Sequence, residues 1–104
     1  MAIRPWIDDV RHYGYTPATI HYDMELDSFF IARADIRSSA HPHLLTLVVA
    51  VSARDLIAQR LTVQEAILLG EQRLDHLIRQ YRGAVTSLDA PSLRVFDLAG
   101  MRLR

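Results

Sequence analysis

Between Thr62 and Gly83 the chain carries the pattern that most restricts its fold. Thr62-Val63-Gln64-Glu65 is a capping box, in which the hydroxyl and the carboxylate each satisfy a backbone N–H left over at a helix start. Val63, Ile67, Gly70, Leu74, Leu77 and Tyr81 follow at spacings of four, three, four, three and four, a continuous seam along one side of a helix from 63 to 81. Gly83 stands where a helix stop belongs. Asp75 and Arg79 form an i,i+4 pair on the outer side. A helix of this kind hides its seam only against another apolar surface, so the rest of the chain has to provide one.

The segments before the helix supply that surface, because there the period falls to two. Ile20, Tyr22, Met24 and Leu26 alternate with polar residues, and Phe30, Ala32, Ala34 and Ile36 alternate with Ile31, Arg33, Asp35 and Arg37. As a hairpin with Leu26 opposite Phe30, the two runs set Met24 against Ala32, Tyr22 against Ala34 and Ile20 against Ile36 in the core. Asp23 then faces Arg33 and His21 faces Asp35 on the wet side. Phe29 suits the left-handed position of a three-residue loop poorly, so a longer loop at the same register is the alternative. Leu44 to Ala53 is a third strand, with Leu45, Leu47, Val49 and Val51 as its larger face and Thr46, Val48 and Ala50 as a smaller one without charge.

Pro5 to Tyr13 reads as a short helix, with Pro5 in the first turn, Asp8 and Asp9 near the positive end of the dipole, and Gly14 as the stop. Trp6, Val10 and Tyr13 share one side of it. Arg54 to Leu61 fits a short helical turn, and Leu93 to Leu98 a last strand. The expected fold is α+β: helix, three-stranded antiparallel meander, long helix and C-terminal strand, with the helices packed on one face of the sheet.

Length and composition limit the rest. At 104 residues, 50% hydrophobic and 23% charged, the chain fits one globular domain, 1–104. It has no cysteine, which removes disulfides, thiolate nucleophiles and every zinc motif built on Cys. After Met1 no basic start leads into an apolar stretch, and the longest apolar run, Leu44 to Val51, is less than half of the roughly 20 residues a membrane helix needs. A cytoplasmic protein without a membrane partner is the expectation. All twelve cations are Arg and there is no Lys or Asn, the bias that GC-rich bacterial coding produces.

Candidate chemistry is thin. His41 and His43 flank Pro42 in an extended stretch, and His21 could add a third imidazole, yet no spacing here matches a zinc pattern. No metal or other cofactor is expected. The row His21, Asp23, Glu25 and Asp27 reads as the wet face of a strand, and Asp8, Asp9 and His12 as helix-end electrostatics. There is no nucleophile elbow, no phosphate-binding glycine loop and no H-E-x-x-H, so a non-enzymatic role is expected.

Two surfaces remain. Residues 1–30 carry a net charge of −3 and residues 79–104 a net charge of +3. Arg79, Arg82, Arg94, Arg102 and Arg104 could therefore form a basic patch, the basis of an alternative reading as a nucleic-acid-binding accessory protein. A chain of zero net charge disfavours that reading, because opposite ends neutralise one another within the fold or across a dimer. Leu68, among the polar residues of the long helix, and Thr46, Val48 and Ala50 on the smaller face of the third strand instead mark an apolar contact surface. The leading expectation is a small protein-interaction or regulatory module that forms a homodimer.

Overall fold

The computed structural model describes residues 10–14, 20–37, 44–81 and 92–104, with 10–14, 37, 44 and 92 described by their backbone alone. The chain runs β1 (Val10–Gly14), β2 (His21–Asp23), β3 (Ser28–Arg37), β4 (Leu44–Ser52), α1 (Ala53–Ala58), α2 (Val63–Tyr81) and β5 (Ser92–Phe96). The strands make one mixed sheet in the order β1-β3-β4-β5, and β2 continues the β1 edge of β3. β5 lies parallel to β4, with Leu45 to Val49 beside Ser92 to Phe96. The class is α+β as expected, with helices against the sheet. A mixed sheet, closed on one side by a parallel pair, replaces the three-stranded meander.

The expected N-terminal helix is corrected over its second half: residues 10–13 belong to β1, and residues 5–9 lie outside the described residues. β3 gives the reason. Val10 to Gly14 pairs with Ile36 to Ala32, satisfying backbone groups that would otherwise stand open along that edge. A helix as short as the one expected has little stability of its own to set against this pairing.

The hairpin register is corrected as well. His21, Tyr22 and Asp23 pair with Phe30, Phe29 and Ser28, so β2 stops after three residues and Met24 to Asp27 form the turn. Asp27 takes the left-handed conformation at φ 49° that Phe29 could not, as Asp does at modest cost. The Asp23 carboxylate accepts from the Leu26 N–H at 3.0 Å, and the Ser28 hydroxyl donates to the Leu26 carbonyl at 2.9 Å, which fixes the turn. With β1 holding residues 32–36, the partners expected for Tyr22 and Ile20 are already taken.

A bulge sets the faces of β3. Phe30 pairs with Ala50 and Ala32 with Val49, leaving Ile31 as the extra residue. The alternation changes phase there, so Ile31, Ala32, Ala34 and Ile36 all join the core under α2, with Phe29 packed against it. Phe30 turns to the opposite face beside Val48, Ala50 and Val95. The edge strand breaks at the same level, since Gly14 pairs with Ala32 and His21 with Phe30 across six intervening residues.

The long helix forms over the expected residues, and its capping box closes: the Thr62 N–H donates to Glu65 Oε1 at 3.0 Å and the Glu65 N–H to Thr62 Oγ1 at 3.1 Å. Ala66, Ile67, Gly70, Leu74, Leu77 and Ile78 are its buried side. Gly70 meets the bulge, where a Cβ would lie 2.7 Å from Ile31 Cδ1. α1 starts at Ser52, whose hydroxyl accepts from the Asp55 N–H at 3.0 Å. It ends in a Schellman turn with Arg60 left-handed at φ 54°, the Leu61 N–H donating to the Leu56 carbonyl at 2.9 Å.

The bond from the Thr62 N–H holds the Glu65 carboxyl below its ordinary range, helped by the Thr62 hydroxyl. A lowered carboxyl contributes stability that is complete above its unfolded pKa, about 4.3, and is lost as pH falls through the folded value. Thr62→Ala should lower stability by about 1 kcal/mol at neutral pH. Glu65→Gln should flatten the acid side of a melting-temperature profile against pH.

Candidate functional site

The smaller face of β4 lies opposite the helices. Thr46, Val48 and Ala50 are 9%, 2% and 0% exposed, so the uncharged face read from the sequence exists and is covered within the chain. Phe30, Val95 and Leu26 pack with Val48 and Ala50. Thr46 is taken up by a polar network, its hydroxyl donating to Asp35 Oδ1 at 2.8 Å, while Arg33 reaches both oxygens of the same carboxylate at 3.2 and 3.4 Å. This corrects the expected pairing of Asp35 with His21, whose ring packs tilted against Phe30 at 5.4 Å between centroids. It also corrects that of Asp23 with Arg33: Arg104 Nη1 reaches Asp23 Oδ2 at 3.1 Å and Glu25 Oε2 at 3.8 Å. Here an arginine of the basic C-terminal end pairs with two carboxylates of the acidic N-terminal end.

Among the described residues, the arginines of the expected patch do not all share one surface. Arg94, beside core residue Phe96 in its strand, lies over the Tyr81 ring at 5.3 Å on the α2 side. Arg104 engages the opposite side through Asp23. Arg102 donates to the Arg104 carbonyl at 3.4 Å, Arg79 stands exposed on α2, and Arg82 lies outside the described residues.

His41 and His43 also lie outside the described residues. Among the described residues no three His, Cys, Asp or Glu side chains stand close enough to hold a metal ion. The row from His21 to Asp27 does not share a strand face, because the turn disperses it. Asp23 is held by Leu26 and Arg104, Asp27 accepts from the Tyr22 hydroxyl, and Glu25 is exposed. The bond to Asp27, with partial desolvation and the charges of Asp27 and Asp23, raises the Tyr22 pKa. Tyr22 therefore contributes stability that is complete below its unfolded pKa and lost as pH rises through the folded one.

Apolar side chains are accessible as well. Leu68 is 59% exposed on the outer side of α2, and Ile57 on α1 is 79% exposed. A cleft of about 340 Å³ opens between the bulge and the helices, lined by Ile20, Phe29, Ile31, Leu56 and Val63 among others. Among the described residues its lining is apolar and uncharged, a shape and chemistry that suit an apolar side chain. The sequence signal for this cleft was Ile31 itself, an apolar residue in a row otherwise charged, which marks the bulge. No helix among the described residues is long and apolar enough to cross a membrane. No protein-family model matches the chain, and neither a curated protein nor a solved structure matches it.

Proposed function

We propose that this chain is a small non-enzymatic interaction module that forms a homodimer through the outer side of α2. The observation that carries the reading is the exposed row Glu65, Leu68, Gln72 and Arg79, spaced three, four and seven residues apart and so aligned along one helix side. A two-fold axis near Gln72 sets two α2 helices antiparallel. Leu68 of each copy then packs at the contact, and each Glu65 meets the partner's Arg79, opposite charges by symmetry. Zero net charge adds no repulsion between copies. Thr46, Val48 and Ala50 serve the chain's own second core in this reading, and Leu68 keeps its role. The nucleic-acid alternative ranks behind it, because Arg94 and Arg104 engage opposite faces and Arg104 is already paired.

Leu68→Asp should convert the dimer to single chains while leaving the melting temperature of the monomer nearly unchanged, since the side chain touches solvent and not the core. Arg79→Glu should weaken the dimer about tenfold by setting like charges against one another. Light scattering on both variants reads these outcomes, and an unchanged mass for Leu68→Asp would remove α2 from the contact.

A further inference from the structure

Between the middle of α2, the end of α1 and the turn after β5 lies an open cleft of about 500 Å³. Leu69, Leu98 and Ala99 give it apolar walls, and Gln59, Gln72, Arg73 and His76 supply its polar groups. Among the described residues no carboxylate lines it, and the Arg73 guanidinium is the one permanent charge.

That guanidinium is held in place. Its Nε donates to the Leu98 carbonyl at 3.1 Å, which ties the α2 side chain to the turn. A Cβ on Gly100 would lie 3.2 Å from Nη1, and Gly100 sits at φ +90°, so glycine is required there both by its backbone and by the arginine packed over it. Among the described residues Nη1 and Nη2 have no acceptor. A guanidinium anchored through Nε presents its remaining two nitrogens as a fork that fits the two oxygens of a carboxylate.

We infer that this cleft binds a small carboxylate with a short apolar body, the carboxylate on Arg73 and the body against Leu69 and Leu98. An inorganic anion would leave the apolar walls unused, and a cation would meet Arg73. The Gln59 carboxamide offers hydrogen bonds to a polar group on the body, and Gln72 and His76 do so where α2 is not in contact with a second copy. The carboxylate belongs either to a free acid or to the end of a peptide chain.

An amide-resolved NMR titration with hexanoate and with N-acetyl-leucine separates these sources. Saturable shifts centred on Leu69, Arg73, Leu98 and Ala99 are expected in the millimolar range natural to ligands of this size. Tighter hexanoate points to a free acid and tighter N-acetyl-leucine to a chain end, and either supports the site. Hexanol and N-acetyl-leucinamide, which lack the charge, should bind at least tenfold more weakly. Leu69→Glu puts a repelling charge on an already exposed position and should abolish binding with the spectrum otherwise folded, while Arg73→Lys should weaken it about tenfold. Repeating the titration on Leu68→Asp keeps this result separate from the dimer reading. No saturable shift with either carboxylate in both chains, or equal binding of the neutral analogues, would overturn the inference.

Discussion

Gly70→Val is expected to lower stability by about 3 kcal/mol, a fall in melting temperature of roughly 10 °C or more. Two terms oppose each other at this position. Replacing Gly in a helix gains up to about 1 kcal/mol in propensity, so a site with free space would be stabilised. Here the first added carbon would lie 2.7 Å from Ile31 Cδ1 and 2.8 Å from Ile31 Cγ1. Ile31 is 1% exposed, and because Cγ1 as well as Cδ1 stands in the way, turning the end of the side chain alone does not relieve the clash, while rotation at its β-branched carbon is stiff. Overpacking therefore wins. Ile31→Ala removes the obstructing atoms at a cost of about 2 to 5 kcal/mol on its own, and in that background Gly70→Val should fill the space. The double variant should then lose less than the two single losses together, by at least about 1 kcal/mol in thermal or denaturant unfolding. Strictly additive losses would mean that α2 does not rest on the bulge.

Val48→Asp is expected to unfold the monomer, at a cost of about 4 kcal/mol. The residue is 2% exposed and surrounded by Phe30, Ala50 and Val95, so a carboxylate there has neither water nor a partner. Set beside Leu68→Asp, this variant divides the two surfaces proposed as contacts. One should dissociate a dimer and keep the fold; the other should lose the circular dichroism of the folded chain. A folded, single-chain Val48→Asp would return the smaller face of β4 to the interface.

The long helix was legible because its signals are local and agree: a capping box at Thr62 and Glu65, a seam at helical spacing, and Gly70 at a close approach. β4 was legible too, since nine nearly continuous apolar or small residues fit a strand buried on both faces. The N-terminal half was harder to read. Val10 to Tyr13 carry helix-end signals, yet they form a strand because β3 has a long edge to be paired, a fact about residues some twenty positions away. The β2–β3 register failed for a similar reason. Alternation over residues 20–27 is compatible with a strand, but Asp27 adopts a left-handed turn and β1 occupies the partners.

The candidate site divides along the same line. Leu68 stood out because helical spacing alone places it outside, and it is exposed. Thr46, Val48 and Ala50 are legible as a face without charge, but what covers that face is non-local: Phe30 turned over by a bulge, Leu26 from the turn and Val95 from the last strand. The arginine cleft could not be read at all, since Arg73 and Leu98 meet only through the crossover from α2 to β5.

Association of two copies of this chain, proposed to run through α2, is tested most directly by light scattering across a dilution series of the unmodified protein. A mass twice the 11.9 kDa of one chain is expected, falling toward the single-chain value only on dilution. A single-chain mass at every concentration would contradict it.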